Sequence, residues 1–231
     1  MLCDGMLLID KPKNITSFKV CHIIRKTLNI KKTGHCGTLD PSATGLLLVL
    51  TGKATKLQDK FMKQDKIYRT SFMLGCSTDS GDMDGKILEK KDFNHIDLQM
   101  IKTALENFKG EIEQIPPMYS AIKINGQKLY ELARKGIEIK REPRKINIKD
   151  IEIISFKEGI LDLSIECSSG TYIRSIADDL GKILGCGAVV SALRREKIGS
   201  LDVKNAVNQD YFQNPEALIE KIISIEQLNE N

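Results

Sequence analysis

Strand-like and helix-like patterns interleave along this chain of 231 residues without a strict alternation of one strand and one helix. The segment "KIYRTSFMLG" alternates, with Ile67 and Arg69 on one face and Tyr68 and Phe72 on the other. The segments "RKINIKDIEIISF" and "ILDLSIEC" alternate in the same way and read as paired strands. This arrangement predicts an α+β fold whose sheet has many antiparallel pairs.

Two segments with helical spacing accompany two apolar strands. Thr16 or Ser17 is placed to cap a helix that runs to about Leu28, with an apolar stripe of Phe18, Cys21, Ile24 and Leu28. "TYIRSIADDLGKILG" predicts a second helix, capped around residues 169–171, with a stripe of Ile173, Ile176, Ala177, Leu180 and Leu184. "GMLLID" and "TGLLLVLTG" predict short buried strands.

The composition is that of a soluble globular protein, with 41% hydrophobic and 29% charged residues. The longest apolar run, "LLLVL", is too short to span a bilayer, and the N-terminus lacks the basic region of a signal peptide. We therefore expect a cytoplasmic protein.

The six cysteines and three histidines do not form a metal-binding pattern. No C-x-x-C pair is present, so reduced, buried thiols are expected. Cys36 could instead be a nucleophile, although only its neighbour His35 is near enough in sequence to activate it. "TGKATK" lacks the spacing of a P-loop, and "SGDMDG" lacks the glutamate of an EF-hand because Lys91 occupies that place.

The net charge of +4 is unevenly distributed. Residues 11–32 hold seven Lys or Arg and no acid, residues 122–150 hold nine against four acids, and residues 202–231 hold two lysines against six acids. Two basic blocks favour a polyanionic partner, although composition does not distinguish RNA from DNA or from an acidic protein.

Asp40 is the single carboxylate in "GHCGTLDPSATGLL". Pro41 biases it away from helical conformation, and glycines on both sides permit close approach of a ligand or another segment. A turn at the entry to a strand is the structural alternative. Arg174 lies near the start of its helix, where a cation opposes the helix dipole, so a partner carboxylate is expected. We infer that this partner is Asp40; an exposed Arg174 is the alternative.

Six blocks in order carry a resemblance to a known family: "LLIDKP", "KKTGHCGTLDPSATGLL", "KIYRTSFMLGCSTDSGDMDG", "IPPMYSAIKINGQKLYELARKG", "SSGTYIRSIADDLG" and "ALRREKIG". They identify the chain as a member of the TruB family of bacterial tRNA pseudouridine synthases, which isomerise uridine 55 of the T-loop. The resemblance implies a mixed, largely antiparallel central sheet flanked by helices, with an active-site cleft across the sheet. It also implies one catalytic domain over residues 1–231 with a basic RNA-binding insertion around 122–145. The C-terminal PUA-type domain usual in the family is expected to be absent or reduced.

The resemblance also implies the site residues. Asp40 matches the catalytic aspartate, Arg174 the arginine that pairs with it, and Tyr68 the tyrosine that stacks on the flipped base and assists proton removal. The expected substrate-binding residues are His35, Leu193, Lys11, Pro12 and Asp82. No metal and no cofactor are expected, because the isomerisation is internal and redox-neutral.

We expect a monomer that acts on the T-arm of tRNA without a membrane or a small-molecule cofactor. Two alternatives belong to other classes. A non-catalytic RNA-binding or tRNA-folding module would not need Asp40, Tyr68 and Arg174 together. A glycoside hydrolase would need a second carboxylate paired with Asp40, and no motif supplies one.

Overall fold

The computed structural model describes residues 4–124 and 126–230, so Cys3 and Asn125 lie outside the described residues. Contacts between Cα atoms divide the chain into two compact units, residues 4–69 with 193–230, and residues 70–192. The predicted single domain over 1–231 and the reduced C-terminal domain stay predictions. Within the described ranges, no helix is long and apolar enough to cross a membrane.

The strands and helices are as follows. The strands are β1 (Gly5–Lys11), β2 (Thr33–Cys36), β3 (Thr44–Thr51), β4 (Lys66–Leu74), β5 (Cys76–Thr78), β6 (Ile87–Lys90), β7 (Gly110–Gln114), β8 (Lys123–Ile124), β9 (Gln127–Lys128), β10 (Arg144–Lys157), β11 (Ile160–Cys167), β12 (Ala188–Ile198), β13 (Leu201–Asp202) and β14 (Ile223–Ser224). The helices are α1 (Ser17–Thr27), α2 (Gln58–Met62), α3 (Leu98–Leu105), α4 (Leu129–Ala133), α5 (Ile173–Leu184), α6 (Pro215–Glu220) and α7 (Ile225–Glu230).

The first unit contains the strand order β14-β1-β3-β12, with β2 beside β3 and β13 beside β12. All these pairs are antiparallel except β3 with β12, which run parallel. Both faces of β1 and β3 are covered. Leu7 and Ile9 pack in the cluster that includes α1, and Met6 and Leu8 pack in a second cluster on the other face. Coverage on both faces explains why β3 is a continuous apolar run.

The second unit contains the strand order β12-β4-β11-β10-β7. The boundaries between the units fall within β4, after Arg69, and within β12, after Ala192, so each of these strands has residues in both units. β10 and β11 form the predicted antiparallel pair, with Ile151 opposite Ile165. On β4, Tyr68, Thr70, Phe72 and Leu74 are buried and the alternate residues are more exposed, as the alternation predicts. The predicted α+β class with a largely antiparallel sheet and flanking helices is confirmed; the cleft stays a prediction.

For the two predicted helices, one cap is confirmed, one residue of a buried stripe is wrong, and one cap is wrong. α1 is capped by the side chain of Thr16, as predicted. Phe18, predicted on its buried stripe, is 75% exposed, and Ser17 and Val20 are buried instead. α5 begins at Ile173 after an N-cap at Tyr172, so the cap predicted at 169–171 is wrong.

The physical reason for the α5 error is a side chain from β7. The amide of Gln114 accepts from the backbone N–H of Tyr172 at 2.8 Å and donates to its carbonyl at 3.1 Å. This pair of hydrogen bonds fixes the entry to the helix without a Ser or Thr cap. The predicted stripe of α5 is confirmed, because all five of its apolar residues are buried.

The segment predicted as the basic insertion contains β8, β9 and α4. Leu129 and Leu132 form a small core with Met118, which precedes the segment, and partly buried Ile122, Ile124 and Ile139 pack against it. The basic side chains of Lys123 and Lys135 are exposed, and that of Lys128 is half-buried. Its RNA-binding role stays a prediction.

Candidate active site

The backbone around Asp40 is held by hydrogen bonds from the N-terminal segment of the first unit. Ser17, at the start of α1, donates to the carbonyl of Leu39 at 3.1 Å and accepts from its N–H at 2.9 Å. The carbonyl of Asp40 accepts from the N–H of Ala43, which closes a turn. The carbonyl of Pro41 accepts from the N–H of Asn14 at 2.8 Å. The half-buried Asp40 carboxylate is therefore carried on a backbone fixed on both sides.

Lys11 supplies a further contact to the same turn. Its side chain is fully buried at the end of β1, and its ammonium donates to the carbonyls of Pro12, Ile15 and Pro41 at 2.9, 2.8 and 3.3 Å. Burial lowers the pKa of Lys11 from 10.5 to about 8, opposed by the negative charge of Asp40 and reinforced by the positive charge of Arg195. The ammonium is thus satisfied by carbonyl oxygens, and one of these belongs to the residue after Asp40.

Arg195 holds the two ends of the Asp40 segment from β12. It is 1% exposed, and its guanidinium donates to the carbonyl of Leu46 at 2.7 Å and of Gly37 at 3.0 Å. Gly45 has φ +101°, and a Cβ there would lie 2.2 Å from the Arg195 carbonyl oxygen. Only glycine permits β3 and β12 to approach so closely at this point.

His35 lies on β2, opposite Val49 of β3, rather than in a loop. Burial lowers its pKa, and the positive charge of Arg195 lowers it further, so the ring is neutral near pH 7. Its Nδ1 atom is buried and has no hydrogen-bond partner among the residues that the structure describes. The predicted role of His35 in substrate binding stays a prediction.

Cys36 is fully buried, and burial raises the pKa of its thiol to about 12. A thiol held in its protonated form is a poor nucleophile, so the nucleophile interpretation of Cys36 is wrong. The five described cysteines are all buried, as predicted.

Tyr68 and Leu193 are the predicted base-contacting residues, and they lie on the strands β4 and β12. Tyr68 is 8% exposed, and Leu193 is half-buried. Pro12 is half-buried directly after Lys11. For Tyr68 and Leu193, the alternation of side chains along β4 and β12 determines which face of the sheet each one occupies.

In the second unit, Arg174 and Asp82 form a compact polar cluster. Arg174 is 6% exposed, so the exposed alternative is wrong. Its guanidinium donates to the carbonyls of Ser80 at 2.9 Å and Tyr119 at 2.7 Å, and it lies 3.6 Å from the Asp82 carboxylate. The Asp82 carboxylate also accepts from the Ser80 hydroxyl at 2.5 Å. These acceptors offset the conflict between the Arg174 charge and the helix dipole.

The structure thus brings together Lys11, Pro12 and Asp40 in one unit and Arg174 with Asp82 in the other. The pairing of Asp40 with Arg174 stays a prediction. Sequence reasoning missed Arg195 and Ser17 as positioning residues. The available signal for Arg195 was a second arginine in an otherwise strand-like segment, "ALRREKI".

Comparisons with known proteins agree along the chain. A family described as "TruB family pseudouridylate synthase (N terminal domain)" matches residues 25–173, and one described as "tRNA pseudouridylate synthase B C-terminal domain" matches residues 174–228. The "tRNA pseudouridine synthase B" of Endomicrobium trichonymphae is 57% identical over 222 residues, which is 96% of each chain. The protein of the same name from Clostridium tetani is 47% identical over 96% of this chain and 77% of its own.

Solved structures show the same fold. The match to a chain in the "Crystal Structure of a Cbf5-Nop10-Gar1 Complex" has a TM-score of 0.74 and 26% identity, and it covers 98% of this chain. This chain spans 61% of the length of that solved chain.

Proposed function

Because the chain belongs to the TruB family of pseudouridylate synthases, we propose that it isomerises uridine 55, in the T-loop of tRNA, to pseudouridine. The observation that carries this proposal is the Asp40 turn, whose backbone is fixed by Ser17, Lys11 and Asn14. A carboxylate carried on such a turn is pre-organised to act on one bound nucleotide.

In the proposed reaction, the N1–C1′ bond of uridine breaks, the uracil turns, and a C5–C1′ bond forms. The proton on C5 is then lost, and N1 gains a proton, so that the product is an isomer of the substrate. Asp40 acts in the cleavage step, either as a nucleophile on the nucleotide or as a base that removes a sugar proton. Both roles need an ionised carboxylate close to the ribose.

Base flipping gives roles to Tyr68 and Leu193. The target uridine is buried in a folded T-loop, so it must be extruded at a cost of a few kcal/mol. We assign the ring of Tyr68 to stacking on the flipped base and its hydroxyl to assisting removal of the C5 proton. Leu193 provides an apolar contact beside the base.

Arg174 is proposed to pair with Asp40 and keep it ionised. A guanidinium favours the charged form of a nearby carboxylate and orients it with two donors. Asp82 lies 3.6 Å from Arg174, which supports a role for Asp82 in fixing that guanidinium in addition to its predicted contact with RNA.

Recognition of the T-arm is assigned to His35, Lys11, Pro12 and the basic insertion around 122–145. For Lys11, the contacts to three carbonyls support a positioning role on the Asp40 turn beside its predicted role in binding. We infer a monomer in the cytoplasm, where its tRNA substrate is modified, and a reaction that needs no cofactor.

The test is incubation with a short T-arm hairpin followed by nucleoside analysis. We expect pseudouridine from the wild type and from Asp59→Asn, a matched control at an exposed aspartate of α2. Asp40→Asn should bind the hairpin with unchanged affinity and form pseudouridine at less than roughly a thousandth of the wild-type rate.

Three other outcomes would refute the proposal. Unchanged uridine from a wild-type protein that binds the hairpin would indicate a non-catalytic RNA-binding module. Free uracil would indicate hydrolysis of the glycosidic bond. Substantial turnover by Asp40→Asn would show that the carboxylate is not the reacting group.

A further inference from the structure

The exposed face of α1 carries one aromatic residue and four polar side chains that can bind an anion. At about 100° per residue, its five exposed positions fall within a sector of roughly 120°. These positions are Phe18, Lys19, His22, Arg25 and Lys26. The helix contains no acidic residue, and Arg25 donates to Nδ1 of His22 at 3.2 Å. The exposed face is therefore basic and continuous.

A groove lies along one side of this face. Its volume is about 470 Å³, and its lining includes Lys19, His22, Ile23 and Lys26 from α1, with Gln213 and Pro215 opposite them. Lys19 and Lys26 are seven residues apart, which places them about 10 Å apart along the helix axis. The groove thus presents two cations in a line rather than a single charged point.

The face begins beside the Asp40 turn. Ser17, the first residue of α1, exchanges two hydrogen bonds with the backbone of Leu39, which precedes Asp40. The next residue, Phe18, is 75% exposed. From there the basic positions lead away from Asp40 along the helix. An extended polyanion with one nucleotide bound at Asp40 would therefore be able to continue along the basic face of α1.

We propose that this face of α1 binds the tRNA strand that leads away from the target uridine, with Lys19 and Lys26 contacting phosphates and Phe18 stacking on an unpaired base. The proposal rests on the proposed function for the identity of the RNA. Charge favours this occupant, because paired lysines beside an exposed aromatic ring suit a phosphate backbone with accessible bases. An acidic protein would match the lysines but would not require an aromatic ring.

The first test removes the two lysines of the groove. Kd is measured for a T-arm hairpin in which cytidine replaces the target uridine, so that no turnover occurs. Each lost phosphate contact lowers the slope of log Kd against log salt by about 0.7–0.9. For Lys19→Ala/Lys26→Ala, the loss of affinity between 50 and 200 mM salt should therefore be about 7- to 12-fold smaller than in the wild type.

The matched control is Lys204→Ala/Lys221→Ala, which removes two exposed lysines from the acid-rich C-terminal segment. Its salt slope should equal that of the wild type. Equal slopes for both double variants would overturn the phosphate contacts at Lys19 and Lys26. Pseudouridine formation on a normal hairpin at saturating protein reports the proposed function separately, so that its failure is distinguishable from a failure of this inference.

The second test separates stacking from general hydrophobic contact at Phe18. Loss of one stacked base should weaken binding about 5- to 150-fold in Phe18→Ala and in Phe18→Leu, while Phe18→Tyr should retain wild-type affinity. Wild-type affinity in Phe18→Leu would overturn the stacking role. So would a concentration-dependent dimer, detected by sedimentation without RNA and abolished in Phe18→Ala, because Phe18 would then belong to an interface between two copies.

Discussion

Raising the pH from 7 to 9.5 should stabilise the wild type by about 2 kcal/mol relative to a Lys11→Met variant. The pKa of Lys11 is about 8 in the fold and 10.5 in its ordinary state. Between these values the unfolded chain binds more protons than the folded protein, so the free energy of unfolding rises with pH. Below pH 8 both states are protonated, and the cost of burying the ammonium is present in full.

The measurement is urea unfolding under reducing conditions at several pH values, for both proteins. Burial raises the pKa values of the Cys21 and Cys36 thiols to about 12, which lowers stability at high pH, but this contribution is present in both proteins and cancels in the difference. Methionine has a similar length and no charge, so the variant lacks the Lys11 titration. Parallel curves for the two proteins would refute the argument that Lys11 carries a buried charge.

Three further predictions concern single positions. Arg174→Lys should lose about 1.5–3 kcal/mol of stability in urea unfolding, because one ammonium cannot replace both guanidinium donors to the carbonyls of Ser80 and Tyr119. The single-turnover rate of this variant should fall as well. A wild-type rate would contradict the pairing of Arg174 with Asp40. Tyr68→Phe should bind the T-arm hairpin but form pseudouridine slowly in single-turnover assays. Tyr68→Ala should lose both hairpin binding and pseudouridine formation, since stacking is worth about 1–3 kcal/mol per base. Full turnover by the Phe variant would exclude the hydroxyl from proton removal. Gly45→Ala should destabilise the protein by more than backbone strain alone, which is about 1–3 kcal/mol, because the new Cβ would lie 2.2 Å from the Arg195 carbonyl oxygen. Gly170→Ala is the control, since Gly170 also has a positive φ but has, among the described residues, no atom within 4 Å of the position of a Cβ.

Periodicity was sufficient to predict the regular elements. The alternation of Tyr68 and Phe72 predicted the buried face of β4, and the stripe on α5 predicted its core face. On α1, the stripe was assigned from apolar identity, and this placed Phe18 inside. In the fold, Ser17 takes a buried position because its hydroxyl bonds to the backbone of Leu39. A polar residue whose partner lies 22 positions away has no local signal.

The burial of two charged positioning residues was not predictable for a similar reason. Lys11 and Arg195 are charged side chains with 0% and 1% exposure, although charged residues are almost never fully buried unless paired. Arg195 donates to carbonyls of the Asp40 segment that lie 149 and 158 residues away in sequence. Lys11 donates to the Pro41 carbonyl, 30 residues away, as well as to the nearby carbonyls of Pro12 and Ile15. Identifying such a pair requires the sheet register, which a single sequence does not contain.

The separation between Arg195 and the Asp40 segment has a consequence for synthesis of the protein. The segment leaves the ribosome early, yet the guanidinium that joins its two ends arrives 149 residues after Leu46. At about 5–20 residues per second, this delay is about 7–30 s. During that interval the nascent chain carries Asp40 on a turn that lacks one of its anchors. Competence for catalysis is therefore expected to appear late in translation, so that a partly made chain bound to tRNA would not modify it.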